Sequence, residues 1–306
     1  MDRKCILAAT LCFLCTGLAF QACAQSQQNT GEQVTVREIV EVHSTPPRVP
    51  DFAVFAGDTV WLDDQDRYER MDRELLAFSY MHTTSTLMLK RAGKYFPVIE
   101  PILKAQGLPD DLKYLMVIES NLDPKALSTA GAAGLWQFTK STAKEFGLEV
   151  TAEVDERYNI EKETLAACKY LKNAYARYRD WMTVAASYNA GQGGITKRLG
   201  EQHQKSALDL WLVEETARYM YRLLAAKLMF EDPAAFGFDV KEKDRYPYIP
   251  PKRVVKVNGP VESLVDFAEK NGVTYAQLKA ANLWLRDSKL ENKAGKEYSI
   301  IIPGRR

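Results

Sequence analysis

The sequence predicts a mainly α-helical protein, with a large helical domain followed by a small β-α-α-β domain. Apolar residues recur at helical spacing almost throughout residues 68–230, and strand signals are missing from that block. Composition changes after Phe230, and two short β-branched runs then flank two short helical segments. The length of 306 residues is sufficient for two such domains.

Residues 1–24 have the three-part pattern of a secretory signal peptide. Basic residues precede an apolar run, which ends in the small-x-small sequence Ala22-Cys23-Ala24. We therefore expect cleavage after Ala24 and an exported protein, located in the periplasm or cell envelope. Lipidation of Cys23 is the alternative, and it would attach the protein to a membrane.

Four further segments are predicted after the signal peptide. Polar and Pro-rich composition predicts a tether over residues 25–66 and a linker over residues 236–252. The helical domain occupies residues 67–235 and the small domain residues 253–304. Apolar spacing and Pro or Gly stops predict helices in the large domain at 110–119, 136–146, 160–178, 181–190 and 217–228. In the small domain we predict strands at 254–257 and 298–302, and helices at 261–270 and 274–283.

Charge and composition exclude several classes of function. The 41 basic and 40 acidic residues give a net charge of +1, which argues against a nucleic-acid partner held by a basic surface. With three His, none of them paired at ligand spacing, we expect neither a metal site nor another cofactor. Cys168 lies in a helical pattern, so we expect a buried apolar residue there.

Glu119 is the first candidate for acid–base chemistry. Most glutamates are solvated surface residues, but this one falls on the last turn of an apolar helix, beside Met116 and Ile118. Partial burial and the carboxyl end of the helix dipole both disfavour negative charge, so we expect a raised pKa. A general acid that works at neutral pH requires such a pKa.

Two small-residue segments follow in the same domain. Residues 131–138 combine glycines with Trp136, Gln137 and Phe138, and residues 187–191 carry Tyr188 at the end of a short helix. Taken alone, a Gly-containing turn with a core aromatic and a half-buried structural Tyr are the favoured interpretations. A ligand-binding cleft is the alternative, because small residues let backbone approach a ligand closely.

Several motifs occur in one order and with linked spacing. They are Gly107-Leu108-Pro109, Glu119-Ser120, Ser128-x-x-Gly131-Ala132-x-Gly134-Leu135-Trp136-Gln137, Asp155-Glu156-Arg157, Tyr188-Asn189-Ala190-Gly191 and Glu215-Thr216-x-x-Tyr219. Over residues 95–230 the chain resembles the catalytic domain of soluble-type and membrane-bound D-type lytic transglycosylases, relatives of goose-type lysozyme. The resemblance implies a lysozyme-like helical fold. It also implies that the substrate and partner is the glycan strand of bacterial peptidoglycan.

The resemblance also implies roles for individual residues. Glu119 matches the family's single catalytic acid/base. Ser128 matches a Ser that hydrogen-bonds near that Glu and the substrate N-acetyl group, and Tyr188 matches a Tyr that faces the catalytic centre. The residues that match substrate-binding positions are Ser128, Gln137, Tyr188, Asn189 and Glu215. In departures from the family pattern, Thr139-Lys140 replaces Met-Pro, Leu122 replaces Phe and Ser187 replaces Ala.

Residues 253–303 resemble a LysM module, which implies a glycan-binding fold. The match rests on Val257-Asn258-Gly259, Leu264, Phe267-Ala268, Gly272-Val273-Thr274, Leu278, Asn282 and Ile302-Pro303. The usual Gly-Asp-Thr-Leu opening of the module is replaced by the six residues from Gly259 to Leu264.

The resemblance implies a mechanism that needs one carboxyl group. Protonated Glu119 gives its proton to the oxygen of the β-1,4 bond between N-acetylmuramic acid and N-acetylglucosamine. The carboxylate then takes the proton of the muramic C6 hydroxyl, which attacks C1 and forms a 1,6-anhydro end. This internal hydroxyl replaces the water that ordinary glycosidases activate with a second carboxylate. The alternatives are a hydrolytic muramidase and a catalytically silent cell-wall-binding protein.

Overall fold

The structure is a computed structural model and describes residues 45–304. The predicted signal peptide, the alternative lipidation of Cys23 and the first part of the predicted tether lie outside the described residues. Within residues 45–304 the secondary structure is mainly helical, and a small strand-and-helix region follows the helical domain. The predicted fold class is therefore confirmed.

A β-hairpin precedes the helices. Strand β1 (Phe52–Phe55) pairs antiparallel with β2 (Asp58–Trp61), and Phe55 and Val60 are buried in the core of the helical domain. The prediction of a polar tether over residues 25–66 is wrong for this stretch. Residues 52–56 form a short apolar run that ends at the turn residues Gly57-Asp58, which is a pattern typical of a buried strand, and burial alternates along β1.

Eight α-helices make up the helical domain within the described residues. They are α1 (Gln65–Tyr80), α2 (His82–Ala105), α3 (Lys113–Ser120), α4 (Lys140–Glu145), α5 (Ile160–Tyr178), α6 (Trp181–Ala190), α7 (Gln192–Glu201) and α8 (Glu214–Glu231). Helix α6 packs against α5, α7 and α8, and its residues from Trp181 to Ser187 are all buried. The core therefore forms around α6, and Cys168 on α5 is buried in it as expected.

Side-chain caps explain where several helices begin. The side chains of Asn159 and Asp180 accept backbone N–H groups at the starts of α5 and α6, whose bounds agree with the predicted ranges. The helix predicted over 136–146 is wrong in its first part, since α4 begins only at Lys140. Gln137 has a left-handed φ of 51°, and the Thr139 hydroxyl caps the helix by accepting the N–H of Thr142.

The small C-terminal domain has the predicted β-α-α-β order. Its elements are β3 (Arg253–Val257), α9 (Leu264–Lys270), α10 (Tyr275–Ala281) and β4 (Tyr298–Ile302), with β3 antiparallel to β4. Leu264, Leu278 and Ile300 are fully buried between the helices and the hairpin. The buried Asn282 side chain donates to the carbonyl oxygen of Ile301 and accepts its N–H, which ties α10 to β4.

The segment predicted as a linker contains one short 3₁₀ turn (Glu242–Asp244) and otherwise irregular backbone. It contacts α2, where the N–H of Tyr246 donates to the carbonyl oxygen of Lys90 over 2.9 Å. A Cβ atom on Gly93 would lie 2.8 Å from the Tyr246 oxygen, so a side chain at that position would push the segment away. None of the helices within residues 45–304 is both long and apolar enough to cross a membrane.

Candidate active site

Glu119 is held at the carboxyl end of α3. The helix is anchored by a run of buried residues from Lys113 to Ile118, and it ends at Asn121, which has a left-handed φ of 52°. Arg91 of α2 donates to the carbonyl oxygen of Asn121 over 2.9 Å. These contacts fix the turn after Glu119 and leave the Glu119 side chain half-buried.

The environment of Glu119 suits a general acid. Burial raises its pKa to about 7, although a hydrogen bond from Tyr219 and the charge of Arg222 act in the opposite direction. The negative charge of Glu215 adds to the rise. The predicted raised pKa is therefore confirmed, and the carboxyl group can both give and take a proton near neutral pH.

Tyr219 is a site residue to which the sequence analysis assigned no role. It lies on α8, and its hydroxyl donates to Glu119 Oε1 over 2.7 Å. Burial and the neighbouring Glu119 raise the phenol's pKa well above its ordinary value, so it stays protonated and remains a donor. Its position four residues after Glu215 was a usable signal, because that spacing places both residues on one face of a helix.

Ser128 and Gln137 lie on one folded loop, residues 126–138. Two backbone bridges, Leu127 with Ala133 and Ala133 with Phe138, shape this 126–138 loop. The Ser128 hydroxyl accepts the N–H of Ala132 over 3.0 Å, and the Gln137 amide donates to the carbonyl oxygen of Gly134 over 2.8 Å. Both predicted side chains thus brace the loop.

Tyr188 joins the 126–138 loop to the surroundings of Glu119. Its hydroxyl donates to the carbonyl oxygen of Trp136 over 2.7 Å. Burial raises the pKa of Tyr188 well above its ordinary value, and the charge of Glu119 adds to the rise. Tyr188 is thus close enough to Glu119 for the charge of Glu119 to affect it, and its hydroxyl proton is already donated to the loop.

Asn189 forms a hydrogen bond within the fold, whereas Glu215 is exposed to solvent. Asn189 Oδ1 accepts a hydrogen bond from the Thr216 hydroxyl over 2.8 Å, which joins the end of α6 to the start of α8. Glu215 is exposed, and its described effect on the site is electrostatic, through the pKa of Glu119.

The structure shows two further polar residues behind the 126–138 loop. Glu163 of α5 is fully buried, and its Oε2 accepts the N–H of Trp136 over 3.2 Å. Arg157, also buried, donates to the carbonyl oxygens of Gly131 and Phe138 over 2.7 and 3.1 Å. The Asp155-Glu156-Arg157 motif singled out Arg157 in the sequence, whereas no motif singled out Glu163.

The arrangement of possible metal ligands among the described residues is the next feature of the site. Among residues 45–304 no three His, Cys, Asp or Glu side chains come together closely enough to hold a metal ion.

Two protein-family models match the chain. The Transglycosylase SLT domain matches residues 96–210, which include Glu119, the 126–138 loop and Tyr188. The Soluble lytic transglycosylase C-terminal LysM-like domain matches residues 253–306. The two matches correspond to the helical domain and to the small C-terminal domain, in the order in which the sequence analysis predicted them.

Curated relatives agree with these matches. Membrane-bound lytic murein transglycosylase D of Escherichia coli is 28% identical over 261 residues, which is 83% of this chain and 56% of the relative. Membrane-bound lytic murein transglycosylase F of Salmonella choleraesuis is 31% identical over 125 residues, or 37% of this chain and 23% of the relative. The chain thus spans about half the length of the first of these relatives.

Solved structures give a weaker likeness. Lytic transglycosylase Slt of Pseudomonas aeruginosa is 20% identical, with a TM-score of 0.39, over 50% of this chain and 25% of the solved one. At this identity and TM-score, the likeness gives no information about the site.

Proposed function

We propose that this chain is a peptidoglycan lytic transglycosylase. It carries a transglycosylase SLT domain and a C-terminal LysM-like domain, and it is homologous to membrane-bound lytic murein transglycosylase D. It cleaves the β-1,4 bond between N-acetylmuramic acid and N-acetylglucosamine and leaves 1,6-anhydro ends. The observation that carries the proposal is the half-buried Glu119, with its pKa of about 7 and its hydrogen bond from Tyr219.

Glu119 acts first as an acid and then as a base. Its protonated carboxyl gives a proton to the glycosidic oxygen as the bond to the muramic C1 breaks. The resulting carboxylate takes the proton of the C6 hydroxyl of the same muramic residue, and that oxygen bonds to C1. A pKa of about 7 suits both steps, because neither protonation state is strongly favoured at neutral pH.

Tyr219 and the 126–138 loop support this cycle. The Tyr219 hydroxyl fixes Glu119 Oε1, which leaves the other carboxyl oxygen to face the reacting bond. Ser128, Gln137, Tyr188 and Asn189 bind the sugar or hold the loop that binds it. Glu215 tunes the pKa of Glu119 through its charge.

The hydrolytic muramidase is the second candidate, and the acidic groups speak against it. A hydrolase needs a second carboxylate to activate water or to act as a nucleophile. Glu163 is fully buried and bound to the loop backbone, so it cannot position a water molecule, and Glu215 is exposed and acts on Glu119 through its charge. The internal C6 hydroxyl needs no such group, since it is already held beside C1.

Digestion of purified sacculi tests the proposal. We expect the protein to release muropeptides whose mass corresponds to 1,6-anhydro ends, about one water lighter than hydrolysed products. Reducing ends would establish the muramidase instead. Binding to sacculi without release of muropeptides would establish the catalytically silent wall-binding protein.

The same proposal includes location and wall binding. We place the protein in the periplasm or cell envelope after cleavage behind Ala24, with lipidation at Cys23 as the alternative, and we assign glycan binding to the LysM-like domain. Intact-mass measurement of the protein purified from cell envelopes distinguishes a chain that starts at Gln25 from an acylated one that starts at Cys23. A full-length precursor in the cytoplasmic fraction would contradict export.

A further inference from the structure

The C-terminal domain packs against one segment of the helical domain, residues 149–158, here called the bridging segment. The N–H of Asp155 donates to the carbonyl oxygen of Trp284 over 2.9 Å, and the N–H of Arg286 donates to that of Glu153 over 2.7 Å. Val154 forms an isolated antiparallel bridge with Leu285. The bridging segment is thus hydrogen-bonded to the C-terminal domain through its backbone.

Side chains extend this contact. Glu149 Oε2 accepts hydrogen bonds from the Tyr298 hydroxyl and the Lys296 ammonium, each over 2.9 Å. Glu153 Oε2 accepts a hydrogen bond from the N–H of Glu291 over 2.7 Å. Apolar burial joins the two domains as well. Ala133 of the 126–138 loop and Val154 and Tyr158 of the bridging segment belong to the same buried cluster as Trp284, Leu285 and the rest of the C-terminal core.

Arg157 connects the bridging segment to the 126–138 loop. Its Nε and Nη2 atoms bind both carboxylate oxygens of Asp155, over 2.9 and 2.7 Å, so the guanidinium is held in one orientation. The remaining Nη1 donates to the carbonyl oxygens of Gly131 and Phe138, which lie at the turn and at the end of the loop. One buried guanidinium therefore fixes the separation of those two points.

The backbones also meet directly. A Cβ atom on Gly134 would lie 1.7 Å from the carbonyl oxygen of Arg157, and Gly134 has a left-handed φ of 84°. The loop therefore rests on the bridging segment without room for a side chain. The carbonyl group of Arg157 and Gly134 are therefore in direct contact, three residues before Gln137.

We propose that the C-terminal domain positions the catalytic site, and that Arg157 is the positioning residue through which it sets the 126–138 loop. The proposal rests on the proposed function, since the loop is taken to bind the glycan beside Glu119. The domain would then contribute to turnover itself, in addition to holding the protein on the wall. Misplacement of a substrate group by about 1 Å can cost about 100-fold in rate.

The test uses the full chain and a short soluble glycan of alternating N-acetylglucosamine and N-acetylmuramic acid, which needs no wall anchoring. Arg157→Lys keeps the charge but loses the fork that reaches Asp155 and the loop together. The double variant Glu149→Ala/Glu153→Ala removes the three side-chain contacts to the C-terminal domain without touching the loop. The exposed pair Glu262→Ala/Glu269→Ala on that domain is the matched control for charge.

We expect kcat/KM on the short glycan to fall about 10- to 100-fold for Arg157→Lys and at least about threefold for the Glu149/Glu153 pair. The Glu262/Glu269 control should stay at the wild-type value. The pH at which activity falls should not move, because Glu119 keeps its neighbours. A purely structural role would lower Tm and leave kcat/KM below the melting range unchanged.

Two outcomes distinguish a failure of the inference about the C-terminal domain from a failure of the proposed function. If the wild type cleaves the short glycan and both interface variants match it, the inference about the C-terminal domain is wrong while the proposed function stands. If the wild type cleaves neither the short glycan nor sacculi, the proposed function is wrong and the inference falls with it.

Discussion

The end of α3 and the first turn of α5 each carry a carboxyl group whose pKa is raised by burial, and the two groups differ in what surrounds them. Glu119 is half-buried, has a pKa of about 7 and accepts one side-chain hydroxyl. Glu163 is fully buried, has a pKa well above its ordinary value and accepts backbone N–H groups of the 126–138 loop.

The difference shows that a raised pKa does not by itself identify a catalytic acid. Glu163 is fully buried and its contacts hold Trp136 in place, so it has no path to a substrate. Glu119 has a pKa near the working pH and an exposed part. Partial exposure therefore separates the carboxyl group that we propose to be catalytic from the structural one.

The largest effect we predict is on turnover. Glu119→Gln removes the titrating proton but keeps the size and the hydrogen bond from Tyr219, so we expect at least a 100- to 10,000-fold loss of muropeptide release with an intact fold. Glu163→Gln is the matched control, since Gln can still accept the N–H of Trp136. That variant should retain activity within about fivefold of wild type. Equal losses in both variants would remove the distinction between the two groups.

The next effect is on stability. Glu163→Ala leaves the N–H of Trp136 without its partner and opens a void in the core, so we expect a loss of about 2 to 4 kcal/mol in the free energy of unfolding. Chemical denaturation monitored by tryptophan fluorescence measures it. A change below about 0.5 kcal/mol would show that Glu163 does not hold the loop.

The pH dependence of stability gives a smaller effect of known sign. Because the folded-state pKa of Glu119 is raised from 4.5 to about 7, the folded protein binds more protons than the unfolded chain between those values. Stability contributed by this group is therefore full below about pH 4.5 and is lost as pH rises through 7. Glu119→Gln should raise the free energy of unfolding by about 1 to 3 kcal/mol at pH 8 relative to wild type, and by much less at pH 5. The same gain at both pH values would contradict a buried, titrating Glu119.

The smallest effect concerns Tyr219. Its hydroxyl stabilises the charged form of Glu119, so Tyr219→Phe should raise the pKa of Glu119 further, by about one pH unit. The pH above which kcat/KM declines should move up accordingly, and kcat at neutral pH should fall about tenfold. An unchanged pH profile would show that the hydrogen bond has no effect on the proton of Glu119.

Much of the fold follows from local sequence. The bounds of α5 and α6 agree with the predicted ranges because Asn159 and Asp180 act as caps and apolar residues recur every three to four positions. The β-hairpin at Phe52–Trp61 was missed because four-residue strands give weak signals beside a Pro-rich run. The helix from 136 was placed too early, since the left-handed φ of Gln137 is set by hydrogen bonds within the loop.

The candidate site likewise contains features that the local sequence predicts and contacts that it does not. Glu119 and its raised pKa follow from the sequence, because a helix end and apolar neighbours are local features. The partner Tyr219 lies 100 residues away in the chain, and Glu163 and Arg157 reach the loop over separations of 27 and 26 residues. Contacts of that kind depend on how helices pack, so the motifs that contain Tyr219 and Arg157 single out these residues without predicting which groups they bind.

The most direct test of the central claim is the pH dependence of kcat/KM for the wild-type protein on a soluble glycan. A general acid must be protonated in the free enzyme, so the account predicts that kcat/KM declines above a midpoint near pH 7. This decline should be absent from any residual activity of Glu119→Gln. A midpoint near the ordinary Glu value of about 4.5, or a constant kcat/KM between pH 6 and 9, would contradict the claim that Glu119 supplies the proton.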